Sequence, residues 1–160
     1  MSHTICNGKI SLQKHALEFI DKFPDVITDK NQVQRFLGCL NYVRNFYQDC
    51  TSDRKILNKR LKKNPFEWTK VHTKAVKDIK AKIKSLPILY VADDLAYKIV
   101  ESDACNIGWG GILKQKVGKE EKVVQFSSGV WNPAEMNYSI IKKEVKETWN
   151  CISKFDCLSY

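Results

Sequence analysis

Two acidic residues stand where a strand ends and where a helix begins. Asp103 lies in the segment 101–105 (Glu-Ser-Asp-Ala-Cys), which closes a β-rich run just before the glycine-rich segment 108–111. Glu144 lies early in a helical pattern that follows Met-Asn-Tyr-Ser at 136–139. Carboxylate oxygens are the hard donors that Mg²⁺ takes in proteins, and a strand-end Asp and a helix-start Glu can converge on one site. Taken singly, Asp103 would be a turn residue and Glu144 a solvated helix charge.

The ordered series of segments resembles a known family. Residues 101–111 and 136–144 resemble the RNase H domain of reverse transcriptases, particularly those of plant pararetroviruses (the badnavirus and tungro virus group), and more loosely that of gypsy-type retrotransposons. Residues 34–46, with Phe-Leu-Gly, Asn-Tyr and Arg-x-Phe, resemble the signature that follows the polymerase palm. Residues 66–69 (Phe-Glu-Trp-Thr) resemble the segment before the connecting helix, and residues 7–12 resemble the end of the palm. The resemblance covers nearly the whole chain.

The resemblance implies roles for the two acidic residues. Asp103 corresponds to the first catalytic carboxylate of the family, and Glu144 corresponds to the second. In the family two Mg²⁺ ions lie about 4 Å apart, one to activate water and the other to stabilise the leaving 3′-oxygen. Four carboxylates hold them, and the other two follow the last helix predicted here. We therefore expect Asp103 and Glu144 to be catalytic Mg²⁺ ligands of an incomplete site, and the chain by itself to be inert.

A pair of aspartates in the middle of the chain suggests a different site. Asp93 and Asp94 follow Tyr90 and resemble the Tyr-x-Asp-Asp box of polymerases. The spacing is wrong, because Tyr90 lies one residue too far from Asp93. In the family that box also precedes the segment that residues 7–12 resemble. We therefore interpret both aspartates as turn residues of a linker.

The net charge of +9 is concentrated in one block. Residues 50–85 hold twelve basic and three acidic residues, which equals the whole excess of the chain. Such a block can be a solvated lysine-rich helix face, or a surface that follows backbone phosphates and gains from counterion release. The resemblance places it along a template–primer duplex or RNA/DNA hybrid. It thus predicts phosphate contacts for four residues: Lys59, Arg60, Lys62 and Lys63.

Cysteine usage and hydropathy bear on the cellular setting. The six cysteines form no Cys-x-x-Cys pair, so we expect reduced packing residues. No apolar run approaches the roughly 20 residues of a membrane span, and residues 1–10 contain no apolar core of a signal peptide. We expect no membrane partner. The resemblance implies a cytoplasmic or virion-associated protein if viral, or a nuclear genome-encoded copy if endogenous.

Periodicity predicts helices first and strands afterwards. Helical spacing covers four segments, namely 11–23, 29–47, 52–62 and 69–86. Ser11, Asp29 and Thr69 are the predicted caps of the first, second and fourth. The apolar stripe of the second segment is Val33, Phe36, Leu37, Leu40, Val43 and Tyr47, that of the fourth is His72, Val76, Ile79 and Ile83, and that of the last helix is Ile140, Ile141, Val145, Trp149 and Ile152. Three β-rich runs with short connections (97–102, 107–115 and 122–127) predict an antiparallel meander, and a last helix begins near Asn137 or Ser139. The predicted fold is α+β, with these parts: the end of the palm at 1–12, a helical thumb/connection region at 13–86, a linker at 87–96, and at 97–160 the N-terminal half of an RNase H-like domain with three antiparallel strands and one helix.

Three functions compete at this point. The first is a fragment of a reverse transcriptase polyprotein, whose partners would be the nucleic-acid duplex, the fingers and palm, and the C-terminal half of RNase H. The second is an endogenous viral relic that retains only basic duplex binding. The third is a lysine-rich structural protein unrelated to polymerases. The ordered resemblance favours the first.

Overall fold

A β-hairpin opens the fold. The computed structural model describes residues 3–63, 65 and 67–156, so Phe66 of the predicted Phe-x-Trp-Thr segment lies outside the described residues. Strands β1 (His3–Cys6) and β2 (Lys9–Leu12) pair antiparallel around Asn7 and Gly8. Both turn residues have positive φ, 50° and 71°, as a two-residue type I′ turn requires. The hairpin was not among the predicted elements.

Four helices follow and build the first hydrophobic core. They are α1 (Lys14–Asp21), α2 (Lys30–Val43), α3 (Cys50–Asn58) and α4 (Lys70–Lys84). The predicted stripe of α4 is confirmed, because His72, Val76, Ile79 and Ile83 are all buried. The stripe of α2 is likewise buried and packs against that of α4 in one cluster.

The caps of these helices test the predicted starts. Asp29 caps α2 as predicted, since its Oδ2 accepts a hydrogen bond from the Gln32 N–H at 2.9 Å. Thr69 caps α4 as predicted, and the His72 Nδ1 accepts from the Thr69 N–H at 3.1 Å. Ser11 does not cap α1. It belongs to β2, so the ladder pairing with β1 holds its backbone extended.

The second half of the chain is the predicted meander. Strands β4 (Tyr97–Ala104), β5 (Gly108–Val117) and β6 (Glu120–Val130) pair antiparallel in chain order. A one-turn helix α5 (Pro133–Met136) leads into α6 (Ile140–Phe155), which Ser139 caps. The α+β class and the arrangement of three antiparallel strands with one long helix are therefore confirmed, with α5 as an addition.

The predicted linker contains a strand that ties the two halves together. Strand β3 (Leu89–Tyr90) pairs with β2 and completes a small sheet in the order β1-β2-β3. Leu89 packs with Phe46 from the helical part and Phe126 from β6. The turn predicted at Asp93 is confirmed, because its Oδ1 accepts from the Leu95 N–H at 3.0 Å.

Helix α6 turns an unexpected face inward. Its buried residues are Lys143, Glu147, Cys151 and Phe155. The apolar residues that mark the helix in the sequence lie on its outer side: Ile140, Ile141, Val145 and Trp149 are 65% to 74% exposed. Within the described part of the chain no helix combines the length and apolarity of a membrane crossing.

Candidate functional site

Asp103 lies near the end of β4, where the chain is firmly held. Its partner across the ladder is Gly110, which has no side chain to cover it. The following loop is closed by the Cys105 N–H, which donates to the Gly108 carbonyl at 2.9 Å. The indole Nε1 of the buried Trp131 donates to the Cys105 carbonyl at 2.8 Å. The end of β6 therefore fixes the position of the strand that carries Asp103.

Glu144 reaches the same place from helix α6. It is exposed one turn into the helix, and with Asp103 it lines a cleft of about 540 Å³ between the end of β4 and α6. The structure thus brings the two predicted site residues to one cleft. Among the described residues, however, no three acidic, histidine or cysteine side chains are close enough to hold one ion together.

A third carboxylate in this cleft was missed from the sequence. Glu147 lies one turn beyond Glu144 and is only 2% exposed. Burial raises its pKa, contact with the Ser102 hydroxyl lowers it in part, and the nearby Asp103 and Glu144 raise it further. The sequence does place Glu147 on one helix face with Lys143 and Cys151, since each lies four residues from the next. The apolar residues of the helix lie on the opposite face, however, and they mark that face as the buried one.

The alternation of strand β4 explains which of its residues meets Glu147. Ser102 pairs with Gly111 of β5, and Gly111 lies directly against Cys151 of α6. The side chain of Ser102 therefore faces the helix, whereas that of Asp103, the next residue, leaves the strand on the opposite face. Asp103 consequently lines a second cleft as well, of about 320 Å³, on the side of the helical part.

That second cleft is formed by both halves of the chain. Gln48, Asp49 and Ser52 line it from the helical part, opposite Asp103 and Ser128 of the second sheet. The helical part therefore contributes residues to the candidate site. It forms one of the walls beside Asp103.

The four predicted phosphate-contacting residues differ in their surroundings. Lys59, Lys62 and Lys63 are exposed. Arg60 is only partly exposed, since its Nη2 donates to the Thr28 carbonyl at 3.3 Å and its guanidinium lies 5.9 Å from the Trp68 ring centroid. Arg60 thus has a packing role whatever else it contacts.

Several of the other lysines in residues 50–85 form ion pairs within the protein. Four lysines of α4 form ion pairs with the helical part: Lys77 with Asp25 at 3.8 Å, Lys80 with Asp25 at 2.9 Å, Lys82 with Asp53 at 2.7 Å, and Lys84 with Asp21 at 3.0 Å. These ion pairs tie α4 to its neighbours. The exposed lysines near the end of α3 therefore remain the better candidates for an external anion.

Comparison with known proteins decides the family. Residues 68–160 match the model of the RNase H-like domain found in reverse transcriptase. The chain belongs to this family. It is 45% identical over 124 residues to the enzymatic polyprotein of Soybean chlorotic mottle virus, covering 72% of the chain and 18% of that polyprotein. It is 38% identical over 156 residues to that of Cauliflower mosaic virus (strain D/H), covering 94% and 23%.

These relatives confirm the predicted plant pararetrovirus affinity. The chain matches the reverse transcriptase/RNase H region of these viral polyproteins, and it spans 18% and 23% of the two polyproteins just named. The assignment to an enzyme family and to reverse transcriptase and RNase H is thereby confirmed.

Solved structures confirm the fold. The foamy viral protease-reverse transcriptase in complex with RNA/DNA hybrid matches with a TM-score of 0.81 at 18% identity, covering 98% of this chain and 22% of that one. A second structure of the foamy viral enzyme, in complex with double-stranded DNA, matches with a TM-score of 0.78 at 18% identity, covering 99% and 29%. The chain therefore has the fold of a reverse transcriptase segment.

The residues of the cleft fit the metal chemistry of this family. RNase H-like domains generally use a divalent metal ion. The cleft offers carboxylate oxygens from Asp103 and Glu144, which are hard donors suited to such an ion. Glu147 also lines the cleft, and its buried Oε1 has no hydrogen-bond partner among the described residues. An acidic cleft with an unsatisfied oxygen suits a cation.

Proposed function

We propose that this chain is the thumb/connection and RNase H segment of an enzyme that copies RNA into DNA and hydrolyses the RNA strand of the resulting hybrid. The observation that carries the proposal is the convergence of Asp103 and Glu144 on one cleft, in a chain that belongs to the RNase H-like family. Sequence order alone could not bring the two residues together. The antiparallel sheet and the packing of α6 do so.

Asp103 and Glu144 are the residues that would hold Mg²⁺. A bound divalent cation would supply activation of water and stabilisation of the leaving oxygen. The protein's part is to hold the two carboxylates in place: Trp131 and the loop at Cys105 fix the end of β4, and Ser139 caps the helix that carries Glu144. Substituting either carboxylate by its amide removes a charged donor, and we expect the fold to be kept because the amide has nearly the same size.

We propose that Asp103 and Glu144 are two of the family's four carboxylates and that the 160-residue chain is inert by itself. Mg²⁺ sheds its water reluctantly and binds weakly to a partial ligand set. The remainder of a reverse transcriptase polyprotein is the proposed partner. Two features support it: within the described residues β4 pairs only with β5 on one edge, and the apolar outer face of α6 has no cover.

A nucleic-acid duplex is the second proposed partner. The foamy viral enzymes of the same fold were solved with RNA/DNA hybrid and with double-stranded DNA. In this chain the proposed phosphate contacts are Lys59, Arg60, Lys62 and Lys63. The three lysines are exposed, and Arg60 contributes charge beside them while it also packs against Trp68.

A domain replacement tests the proposed function. Residues 68–160 would replace the matching segment of the Cauliflower mosaic virus polyprotein, and cleavage of an RNA/DNA hybrid would be measured with Mg²⁺. We expect cleavage by the chimera, loss of cleavage in Asp103→Asn and Glu144→Gln, and unchanged DNA synthesis in both variants. The matched control is Glu120→Gln, an exposed carboxylate at the β5–β6 turn.

Two outcomes would contradict the proposal. A chimera that synthesises DNA and binds hybrid but never cleaves it would favour the alternative, an endogenous relic that retains only duplex binding. Mg²⁺-dependent cleavage by the pure 160-residue chain, abolished in Asp103→Asn, would show that the chain is not inert.

A further inference from the structure

Glu147 is a buried carboxylate with an oxygen that lacks a partner. The residue is 2% exposed, and among the described residues its Oε1 has no hydrogen-bond partner. An ionised carboxylate removed from water costs several kcal/mol unless a cation or hydrogen-bond donors compensate it. This place in the fold is therefore costly for a glutamate unless something outside the protein compensates the charge.

The side chains around Glu147 do not provide that compensation. Ser102 contacts the carboxylate from the strand. Lys143 lies one turn earlier on the same buried face and lines the same cleft. Yet no ion pair within 4.0 Å joins it to Glu147 among residues 3–63, 65 and 67–156. The remaining charged neighbours, Asp103 and Glu144, are negative.

The three carboxylates open into one cleft. Asp103, Glu144 and Glu147 all line it, and their mutual repulsion disfavours the metal-free state. They are not placed to bind one ion as three direct ligands. Mg²⁺ and similar ions keep several water molecules in protein sites, however, so a carboxylate behind the direct ligands can act on the ion through its water.

We propose that Glu147 helps to hold the divalent cation of this cleft by accepting hydrogen bonds from the cation's water ligands. The inference rests on the proposed function, in which Asp103 and Glu144 are the direct ligands. Glu147 is then a positioning residue that contributes negative charge and an acceptor from the buried side of α6. Without the cation, no ion pair among the described residues compensates its charge.

Mn²⁺ binding to the 160-residue chain tests this role without any measurement of catalysis. The free Mn²⁺ signal in electron paramagnetic resonance would be followed during titration of the wild type and of Glu147→Gln. We expect Glu147→Gln to weaken binding about tenfold, the lower end of what an outer-shell partner contributes. Glu120→Gln makes the same change of charge at an exposed turn and is expected to bind as the wild type does.

Stability provides a second readout. In EDTA, Glu147→Gln is expected to unfold at a higher urea concentration than the wild type, because it removes a buried charge that no ion pair compensates. Added Mn²⁺ is expected to raise the unfolding midpoint of the wild type more than that of Glu147→Gln, because the variant binds the ion more weakly. A purely structural glutamate would show neither effect.

The variants separate failure of this inference from failure of the proposed function. If Asp103→Asn and Glu144→Gln weaken Mn²⁺ binding while Glu147→Gln behaves as Glu120→Gln does, the role of Glu147 is wrong and the metal site stands. If neither Asp103→Asn nor Glu144→Gln weakens Mn²⁺ binding, both proposals fail.

A double-mutant cycle with Lys143 tests whether this lysine neutralises the Glu147 carboxylate. If Glu147→Gln is destabilising and this cost disappears in a Lys143→Met background, Lys143 neutralises the carboxylate and the inference is overturned. If Glu147→Gln stabilises the metal-free chain in both backgrounds, Lys143 does not neutralise the carboxylate and the inference is supported.

Discussion

Thr51 of α3 and Ser128 of β6 join the helical part to the RNase H-like sheet beside the candidate site. Their hydroxyl oxygens are 2.8 Å apart, and the Thr51 hydroxyl also donates to the Ser128 carbonyl at 3.2 Å. The two residues are 77 positions apart in the chain. Ser128 lines the same cleft as Asp103. The contact therefore fixes the helical wall of that cleft relative to the strand that carries the carboxylate.

We predict that this contact couples the two halves energetically. Thr51→Val and Ser128→Ala are each expected to destabilise the chain by about 1 kcal/mol, the usual net contribution of a hydrogen bond. The double variant is expected to be destabilised by less than the sum, because both substitutions remove the same hydroxyl pair. Urea unfolding measures all four proteins. Strict additivity would show that the hydroxyls do not interact.

The close packing of β5 against α6 predicts that two neighbouring glycines differ in how much an alanine substitution destabilises the chain. A Cβ on Gly111 would overlap the Cys151 Sγ, whereas a Cβ on Gly110 would have its nearest neighbour, the Ser127 carbonyl oxygen, at 4.0 Å. Gly111→Ala is therefore expected to cost about 1–3 kcal/mol, and Cys151→Ala in the same chain should recover part of it. Gly110→Ala is the matched control. Equal unfolding midpoints in urea for the two alanine variants would contradict this packing.

His72 makes the start of α4 sensitive to acid. Burial lowers its pKa, and the Arg60 guanidinium lowers it further. Because the pKa is lower in the folded state, the unfolded chain takes up the proton first as pH falls below about 6.5. The stability contributed by neutral His72 is thus present above that pH and is lost as pH falls through the folded-state pKa.

Urea unfolding at pH 7.5 and pH 5.5 measures this effect. We expect the wild type to lose more stability between the two conditions than His72→Gln, which cannot take up a proton at that position. His15→Gln removes an exposed histidine and serves as the control. If the wild type and His72→Gln lose the same stability, His72 does not carry the pH dependence.

The exposed lysines near the end of α3 predict a salt-dependent affinity for duplexes. Replacing Lys59, Lys62 and Lys63 by alanine is expected to weaken binding of a labelled RNA/DNA hybrid. It is also expected to reduce the salt slope, which is the slope of the logarithm of the binding constant against the logarithm of salt concentration, by about 0.9 for each phosphate that is no longer neutralised. Fluorescence anisotropy at several salt concentrations measures both quantities. Arg60 is left unchanged, because its removal would also disturb its packing against Thr28 and Trp68.

The control for this experiment replaces three exposed lysines elsewhere by alanine: Lys14, Lys22 and Lys119. It makes the same change of net charge at the two ends of α1 and at the β5–β6 turn. Equal salt slopes in the two triple variants would remove the assignment of phosphate contacts to Lys59, Lys62 and Lys63.

Local patterns were sufficient where neighbouring residues decide the structure. The helical spacing of α2 and α4 identified their buried faces, and Asp29 and Thr69 identified their starts. One local signal was overlooked. Asn7-Gly8 is a strong hairpin dipeptide, because both residues tolerate the positive φ of a type I′ turn. Recognising it would have moved the start of the first helix from Ser11 to Lys14.

Helix α6 shows where such patterns fail. Periodicity identifies an amphipathic helix, and burial of its apolar face would be the ordinary expectation. Among the described residues, the face that carries Glu147 and Cys151 is buried instead, and Val145 and Trp149 on the apolar face are exposed. Which face is covered depends on the partners a helix meets, and periodicity carries no information about them.

The sequence by itself determined the family, the order of the elements and the identity of Asp103 and Glu144 as the candidate pair, because these depend on residue types in a fixed order. Only the tertiary structure decided that both residues share a cleft, that the helical part forms a wall beside Asp103, and that Glu147 is buried behind them. These are relations between residues far apart in the chain, and they arise from the pairing of strands and the packing of α6 against the sheet.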